Sequence, residues 1–174
     1  MLTKRANEYL SKFKHGVIRI RTDKPNYSAI PTKEYDWFYT CYAGARKGIP
    51  EDCPTPCGNS VIATTYVNAN LFHDMISGRS VTGILHLLNM TPVDWYSKLQ
   101  TTVETATFGS EHVAARTTTE QILDLRLTLR YLGVPLDGPS FMFGDNESIV
   151  NTASVPHSKL HKRHNALSYH RTRE

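Results

Sequence analysis

The sequence predicts an α/β domain that begins with a three-stranded antiparallel meander. Three strand-like runs, 61–68, 81–88 and 93–98, are joined by turns that carry Asp, Gly, Ser, Asn and Pro, as such a meander requires. A long helical stretch, 106–132, follows and stops at Gly133-Val-Pro135, a helix-ending glycine with a proline behind it. A short apolar strand, 140–144, and a short helix, 146–153, complete a layered α/β arrangement.

The residues on either side of this pattern are less regular. Apolar residues at helical spacing predict a helix over 2–13, and β-branched residues predict a short strand over 16–22. Prolines make 23–59 an irregular connection with one or two helical turns at 36–42. Pro156 precedes a basic helical segment, 158–173. Within the long helix, we expect one buried stripe formed by Ile122, Leu125, Leu129 and Leu132.

Composition indicates a soluble globular protein. The chain has 174 residues, 40% of them hydrophobic and 21% charged, which suits one domain with a short attached segment. No run of about eighteen apolar residues occurs, and the N-terminus is charged, so we expect an intracellular protein without a membrane span or secretory signal. We expect the three cysteines to be reduced, and the pair Cys53 and Cys57 lacks a second ligand pair at zinc-finger spacing.

The positive charge, +4 in all, is concentrated near the two ends of the chain. Basic ends favour a surface that faces phosphates, although solvated helix faces would produce the same pattern. Four C-terminal histidines, which could suggest zinc, are interpreted as part of a basic helix face. We expect Trp95 to lie in the core rather than to stack on a base, because its strand is apolar. The candidate nucleic-acid-binding residues are Lys98, Arg116, Lys159, Lys162, Arg163 and Arg171.

Six motifs follow one another between residues 65 and 174. They are Thr65-Tyr-Val-Asn-Ala-Asn70, Ser77-Gly-Arg-Ser-Val-Thr-Gly83, Trp95-Tyr-Ser-Lys-Leu-Gln-Thr-Thr-Val103, Gly109-Ser-Glu-His-Val-Ala114, Leu132-Gly-Val-Pro-Leu-Asp-Gly-Pro139 with Gly144-Asp-Asn146, and Ser168-Tyr-His-Arg-Thr-Arg-Glu174. In this order they resemble the ribonuclease H domain of copia-type retrotransposon Pol polyproteins. The first is similar to a family strand that reads Tyr-Val-Asp-x-Asp.

This resemblance implies a ribonuclease H-like fold, with a mixed sheet that starts with the meander and helices packed on it. It covers residues 60–174, and residues 1–59 more loosely resemble the end of the reverse transcriptase and its connection. The family's fifth strand and last helix lie in a segment that this chain does not reach. We therefore expect a C-terminally truncated domain.

The resemblance also implies a metal site. Ribonuclease H cuts the RNA strand of an RNA–DNA hybrid with two Mg²⁺ ions, which need anionic oxygen ligands. Of the family's four carboxylate positions, the first corresponds to Asn68, the second to Glu111 and the third to Asp145; the fourth lies beyond this chain. Asp74, in the turn after the first strand, is not expected to replace the missing charge.

Each remaining carboxylate also has a structural interpretation. Glu111 could be a first-turn carboxylate that interacts with the helix dipole, and Asp145 could be an N-cap. With Asn68 neutral, we expect Glu111 and Asp145 to bind Mg²⁺ weakly if at all, and catalysis to be impaired.

The leading hypothesis is a retrotransposon-derived ribonuclease H-like domain that has lost useful activity and binds RNA–DNA hybrid or another nucleic acid. The alternative hypothesis is a non-catalytic structural or interaction subunit of a larger assembly that reuses the fold. In that case a protein partner would contact the sheet edge left open by the missing strand.

Overall fold

The computed structural model describes residues 11, 12, 15, 19–30 and 51–154 of the chain. The elements follow the predicted order, strand, strand, strand, helix, strand, helix. Their bounds are β1 Ala63–Asp74, β2 Arg79–Leu88, β3 Thr91–Leu99, α1 Thr107–Tyr131, β4 Phe141–Phe143 and α2 Glu147–Ser154. The predicted helix over 158–173 and the predicted helical turns at 36–42 lie outside the described residues, as does most of the predicted helix over 2–13.

The four strands form one mixed sheet in the order β3-β2-β1-β4. β1 pairs antiparallel with β2, and β2 pairs antiparallel with β3, so the predicted meander is confirmed. β4 pairs parallel with β1 over only three residues, Phe141 to Phe143. β1 is longer than the predicted strand because its pairing with β2 resumes at Asp74 after an irregularity that follows Asn70.

One face of the sheet is covered by α1, and we call it the covered face. Ala114 and Ala115 of the helix are fully buried, so small side chains let the helix lie close to the strands. Two apolar clusters fill this interface. The first consists of Val61, Ala63, Leu88 and Leu129, and the second of Val67, Ala69, Ile84 and Ala114. Each large aliphatic side chain buried here contributes about 1.5–3 kcal/mol to stability.

The predicted stripe on the long helix is only partly correct. Leu129 is buried and Leu125 packs against the first cluster, but Leu132 is 70% exposed. The reason is local, since α1 ends at Tyr131 and Gly133 adopts a φ of 69° that turns the chain away. The predicted helix end at Gly133 is confirmed.

Residues 19–30 lie against the sheet without joining it. The predicted strand over 16–22 is wrong at residues 19–22, which have no strand pairing. Arg21 is instead held by two side chains, because its N–H donates to Thr91 Oγ1 at 3.0 Å and its carbonyl accepts from Asn89 Nδ2 at 3.0 Å. Tyr27 then packs on the face opposite α1, with its ring 4.6 Å from that of Phe141.

Candidate functional site

The face of the sheet opposite α1, which we call the open face, contains a cleft of about 560 Å³. Tyr66 and Asn68 line it from β1, and Gly83 and Leu85 line it from β2. Phe143 and Asp145, at the end of β4, form its third side. Side chains alternate between the two faces of a strand, so Val67 and Ala69 point into the covered face while Tyr66 and Asn68 point into the cleft. The structure therefore brings two predicted site residues, Asn68 and Asp145, into one cleft.

Asn68 is exposed at the middle of β1 and lies opposite Gly83 of β2. Its amide can donate and accept hydrogen bonds but carries no charge. Asn70, two residues further, is exposed as well, and its Nδ2 lies 3.0 Å from His73 Nδ1. β1 therefore presents two neutral amides on this face.

Glu111 approaches from the covered side of the sheet and is only 6% exposed. Its Oε1 accepts a hydrogen bond from the Ala69 backbone N–H at 3.1 Å. Ala69 lies beyond Tyr66, the last β1 residue that pairs with β4, so the carboxylate satisfies a donor where the short neighbouring strand has ended. Burial raises the pKa of Glu111, the Ala69 N–H opposes that rise, and the charge of Asp145 adds to it.

The helix-dipole interpretation of Glu111 is wrong. Glu111 is the fifth residue of α1, and the first turn of this helix contains no acidic residue. Its carboxylate bonds to the backbone of β1 rather than to the free N–H groups at the start of the helix.

Asp145 is exposed where the chain leaves β4. The N-cap interpretation of Asp145 is wrong, because Asn146 has that role. Asn146 Oδ1 accepts from the backbone N–H groups of Ser148 at 3.1 Å and Ile149 at 3.3 Å. The Asp145 side chain is thus left on the surface of the cleft, close enough to Glu111 for their charges to interact.

Asp74 stabilises the turn between β1 and β2. It accepts from the Ser77 hydroxyl at 2.5 Å and from the Ile76 N–H at 3.1 Å. These bonds, led by that of Ser77, lower the pKa of Asp74.

Within the part of the chain that the structure describes, no group of three or more His, Cys, Asp or Glu side chains is arranged to hold a metal ion.

Two of the six candidate basic residues are described, and neither lines the cleft. Lys98 is exposed on β3, and Arg116 Nε lies 3.7 Å from Glu120 Oε1 on the same helix. Lys159, Lys162, Arg163 and Arg171 lie outside the described residues. The described residues contain twelve acidic and nine basic side chains. The positive charge that could attract phosphates therefore belongs to the rest of the chain.

A row of large side chains, three of them exposed and one half-buried, crosses the open face, and the sequence interpretation missed it. Phe143, Tyr66, Leu85 and Trp95 are direct neighbours on four adjacent strands. The prediction that Trp95 lies in the core is wrong, since 76% of it is exposed. Trp95 shares the open face with Leu85, and α1 covers only the opposite face. The alternation of β1 and β2 was the signal that could have predicted this row.

No helix among the described residues is long and apolar enough to cross a membrane. No protein-family model matches the chain. The chain is 27% identical over 128 residues to the retrovirus-related Pol polyprotein from transposon TNT 1-94 of Nicotiana tabacum. The match covers 74% of this chain and 10% of that protein, so the chain spans about a tenth of its relative's length. This similarity supports a retrotransposon Pol origin.

Proposed function

We propose that the chain is a ribonuclease H-like domain of retrotransposon Pol origin that binds nucleic acid and does not cleave RNA–DNA hybrids. The observation that carries this proposal is that Asn68 and Asp145 line the same cleft. Asn68 supplies a neutral amide at the strand position where copia-type ribonuclease H domains, which the sequence resembles, have a carboxylate. The mixed sheet in the order β3-β2-β1-β4, with α1 on one face, is compatible with that fold.

Charge explains why this site is a poor one for two Mg²⁺ ions. Mg²⁺ keeps an octahedral shell of hard oxygens and depends on carboxylates to offset its charge. Asn68 supplies none, and one oxygen of Glu111 is engaged by the Ala69 N–H. The raised pKa of Glu111 further favours its neutral form. The residues present therefore do not fit a metal pair.

A nuclease assay tests the catalytic part of the proposal. A labelled RNA–DNA hybrid is incubated with the chain in Mg²⁺ and, separately, in Mn²⁺, and we expect no cleavage above the background without protein. Cleavage that disappears in the Glu111→Gln variant would refute the proposal.

A gain-of-function variant tests the role given to Asn68. Asn68→Asp restores a carboxylate beside Asp145, so we expect it to bind Mn²⁺ measurably more tightly than the wild type in calorimetric titration. Asn70→Asp is the matched control, because it adds the same charge on the same face of β1 two residues away. Equal Mn²⁺ affinity of Asn68→Asp and Asn70→Asp would contradict this assignment.

Hybrid binding is tested separately from cleavage, because affinity for nucleic acid comes largely from phosphates. We expect fluorescence anisotropy to detect binding that weakens steeply with salt. Charge reversal at Lys162 and Arg163 should weaken it further, whereas reversal of Arg19, an exposed residue of the described segment, should change it little. Binding that does not depend on salt would contradict a phosphate-contacting surface. So would an affinity that stays the same after charge reversal at both Lys162 and Arg163.

A second candidate function is a structural or interaction subunit. Among the strands that the structure describes, β4 lies at an edge of the sheet and pairs only with β1. An unpaired strand edge can add a strand from another chain. Absence of hybrid binding, together with a stable complex in which the amides of residues 141–143 are protected from hydrogen exchange, would favour this function over the first.

A further inference from the structure

The row across the open face presents exposed aromatic rings at Tyr66 and Trp95 and a half-buried ring at Phe143. Tyr66 is 48% exposed and Trp95 76%. The rings of Tyr66 and Phe143 stack with their centroids 5.4 Å apart and their planes 26° apart. Neighbouring strands are about 4.8 Å apart, so the row from Phe143 to Trp95 extends over roughly 14 Å. This length accommodates two or three stacked bases of a single-stranded nucleic acid.

A gap lies beside this row, at Gly83. Gly83 is the neighbour of Asn68 on β1 and of Ser97 on β3. A Cβ added at Gly83 would meet only the Asn68 carbonyl oxygen, at 3.9 Å. The absent side chain therefore leaves open space between Asn68 and Ser97, next to the row, and Gly83 forms part of the cleft wall.

The polar end of the cleft has a defined hydrogen-bonding capacity. The Asp145 carboxylate only accepts hydrogen bonds, and the Asn68 amide both donates and accepts. A flat ligand that satisfies both groups presents N–H donors to Asp145 and a carbonyl oxygen to Asn68. The Watson–Crick edge of guanine has this pattern, and that edge is exposed only in an unpaired base.

We propose that the cleft holds an unpaired nucleobase, preferably guanine, of a single-stranded nucleic acid. The base stacks against Tyr66 and Phe143, its edge contacts Asn68 and Asp145, and an adjacent base stacks on Trp95. This inference rests on the nucleic-acid binding proposed above, but it does not depend on recognition of a hybrid duplex. The phosphates of the strand remain outside the cleft.

The sharpest test fills the cleft without removing any contact. Gly83→Val places a β-branched side chain in the open space, and strands accept such residues well. The probes are fluorescein-labelled hexanucleotides, one with two central guanines among thymines and one of thymine alone. We expect Gly83→Val to retain its circular dichroism and thermal transition, and to bind the guanine probe at least tenfold more weakly than the wild type. Unchanged affinity in a folded Gly83→Val variant would overturn the proposal.

A second set of variants separates stacking from edge recognition. Trp95→Ala and Tyr66→Ala should weaken binding of both probes about 5- to 100-fold, as expected for the loss of one stacked base. The matched control is Tyr131→Ala, since Tyr131 is 51% exposed on α1. We expect the wild type to prefer the guanine probe about tenfold. Asp145→Asn should abolish this preference and leave the affinity for the thymine probe unchanged. The control Asp124→Asn on α1 should change neither the preference nor that affinity.

The outcomes distinguish this inference from the proposed function. Single-strand binding that is lost in Gly83→Val supports the inference even if hybrid binding fails. Hybrid binding combined with single-strand binding that does not respond to Gly83→Val or Trp95→Ala overturns the inference and leaves the proposed function standing. A protein partner that protects Trp95 from fluorescence quenching, with no binding of either probe, also overturns it.

Discussion

Glu111 offers a direct test of how burial and charge act in this site. Its carboxylate is nearly buried and accepts the hydrogen bond of the Ala69 N–H at 3.1 Å. Glu111→Gln keeps an oxygen in place to accept that bond and removes the charge. Glu111→Ala removes the acceptor together with one buried methylene group. The two variants therefore separate the hydrogen bond from the charge.

The expected magnitudes follow from these contacts. Glu111→Ala leaves a buried backbone donor unsatisfied, which costs about 1–3 kcal/mol. Loss of the buried Cγ methylene adds about 0.8 kcal/mol. We therefore expect Glu111→Ala to lower the free energy of unfolding by about 2–4 kcal/mol. Glu111→Gln should stay within about 1 kcal/mol of the wild type at neutral pH, because it retains the hydrogen bond.

The pH dependence has a defined sign. Burial, and to a smaller extent Asp145, raises the pKa of Glu111 in the folded state above its ordinary value of 4.5. The protonated carboxyl thus stabilises the folded state below the ordinary pKa, and this contribution is lost as pH rises through the raised pKa. The stability of the wild type should therefore fall relative to that of Glu111→Gln as pH rises from about 4.5.

Urea denaturation followed by circular dichroism, at several pH values from 4.5 to 7.5, measures both effects. Glu147→Gln is the control, because Glu147 is an exposed carboxylate at the start of α2. The reasoning is refuted if Glu111→Gln destabilises as much as Glu111→Ala at neutral pH. It is also refuted if the wild type and Glu111→Gln show the same pH profile.

Three further predictions concern the scaffold that holds the cleft, each measured by urea denaturation. Leu129→Ala should cost about 3 kcal/mol, because Leu129 is buried in the first apolar cluster; a cost below 1 kcal/mol would contradict that packing. Gly133→Ala should cost about 1 kcal/mol or more, since Gly133 has a φ of 69°, whereas Gly83→Ala should not destabilise. Asn146→Ala should cost about 1 kcal/mol through loss of the α2 cap, and an unchanged stability would show that the cap is dispensable.

Much of the fold could be predicted from the sequence because its signals are local. Strand alternation, the long helical stretch and the breaker at Gly133 determine the order of the six elements, and the structure confirms that order. Leu132 shows the limit of such reasoning. It continues the helical spacing, but it follows the last helical residue and is exposed.

The candidate site could be predicted only in part. The motifs identified Asn68, Glu111 and Asp145, and the structure places Asn68 and Asp145 in one cleft with the Asp145 charge acting on Glu111. The structural alternatives for Glu111 and Asp145 failed. The N-cap interpretation of Asp145 failed because α2 begins one residue later than predicted, which makes Asn146 the cap. The helix-dipole interpretation of Glu111 failed because its carboxylate bonds to the backbone of β1, a contact between residues far apart in the chain.

The sequence by itself determined the residue types at the site and the order of the elements, since periodicity, turn residues and caps act over a few neighbouring residues. Only the tertiary structure decided which face of the sheet is covered. Trp95 is exposed because α1 packs on the opposite face. Glu111 bonds to β1 because β4 ends before Ala69. These outcomes depend on contacts between residues far apart in the chain. Local sequence patterns do not indicate which face of the sheet a helix covers or how far two strands pair.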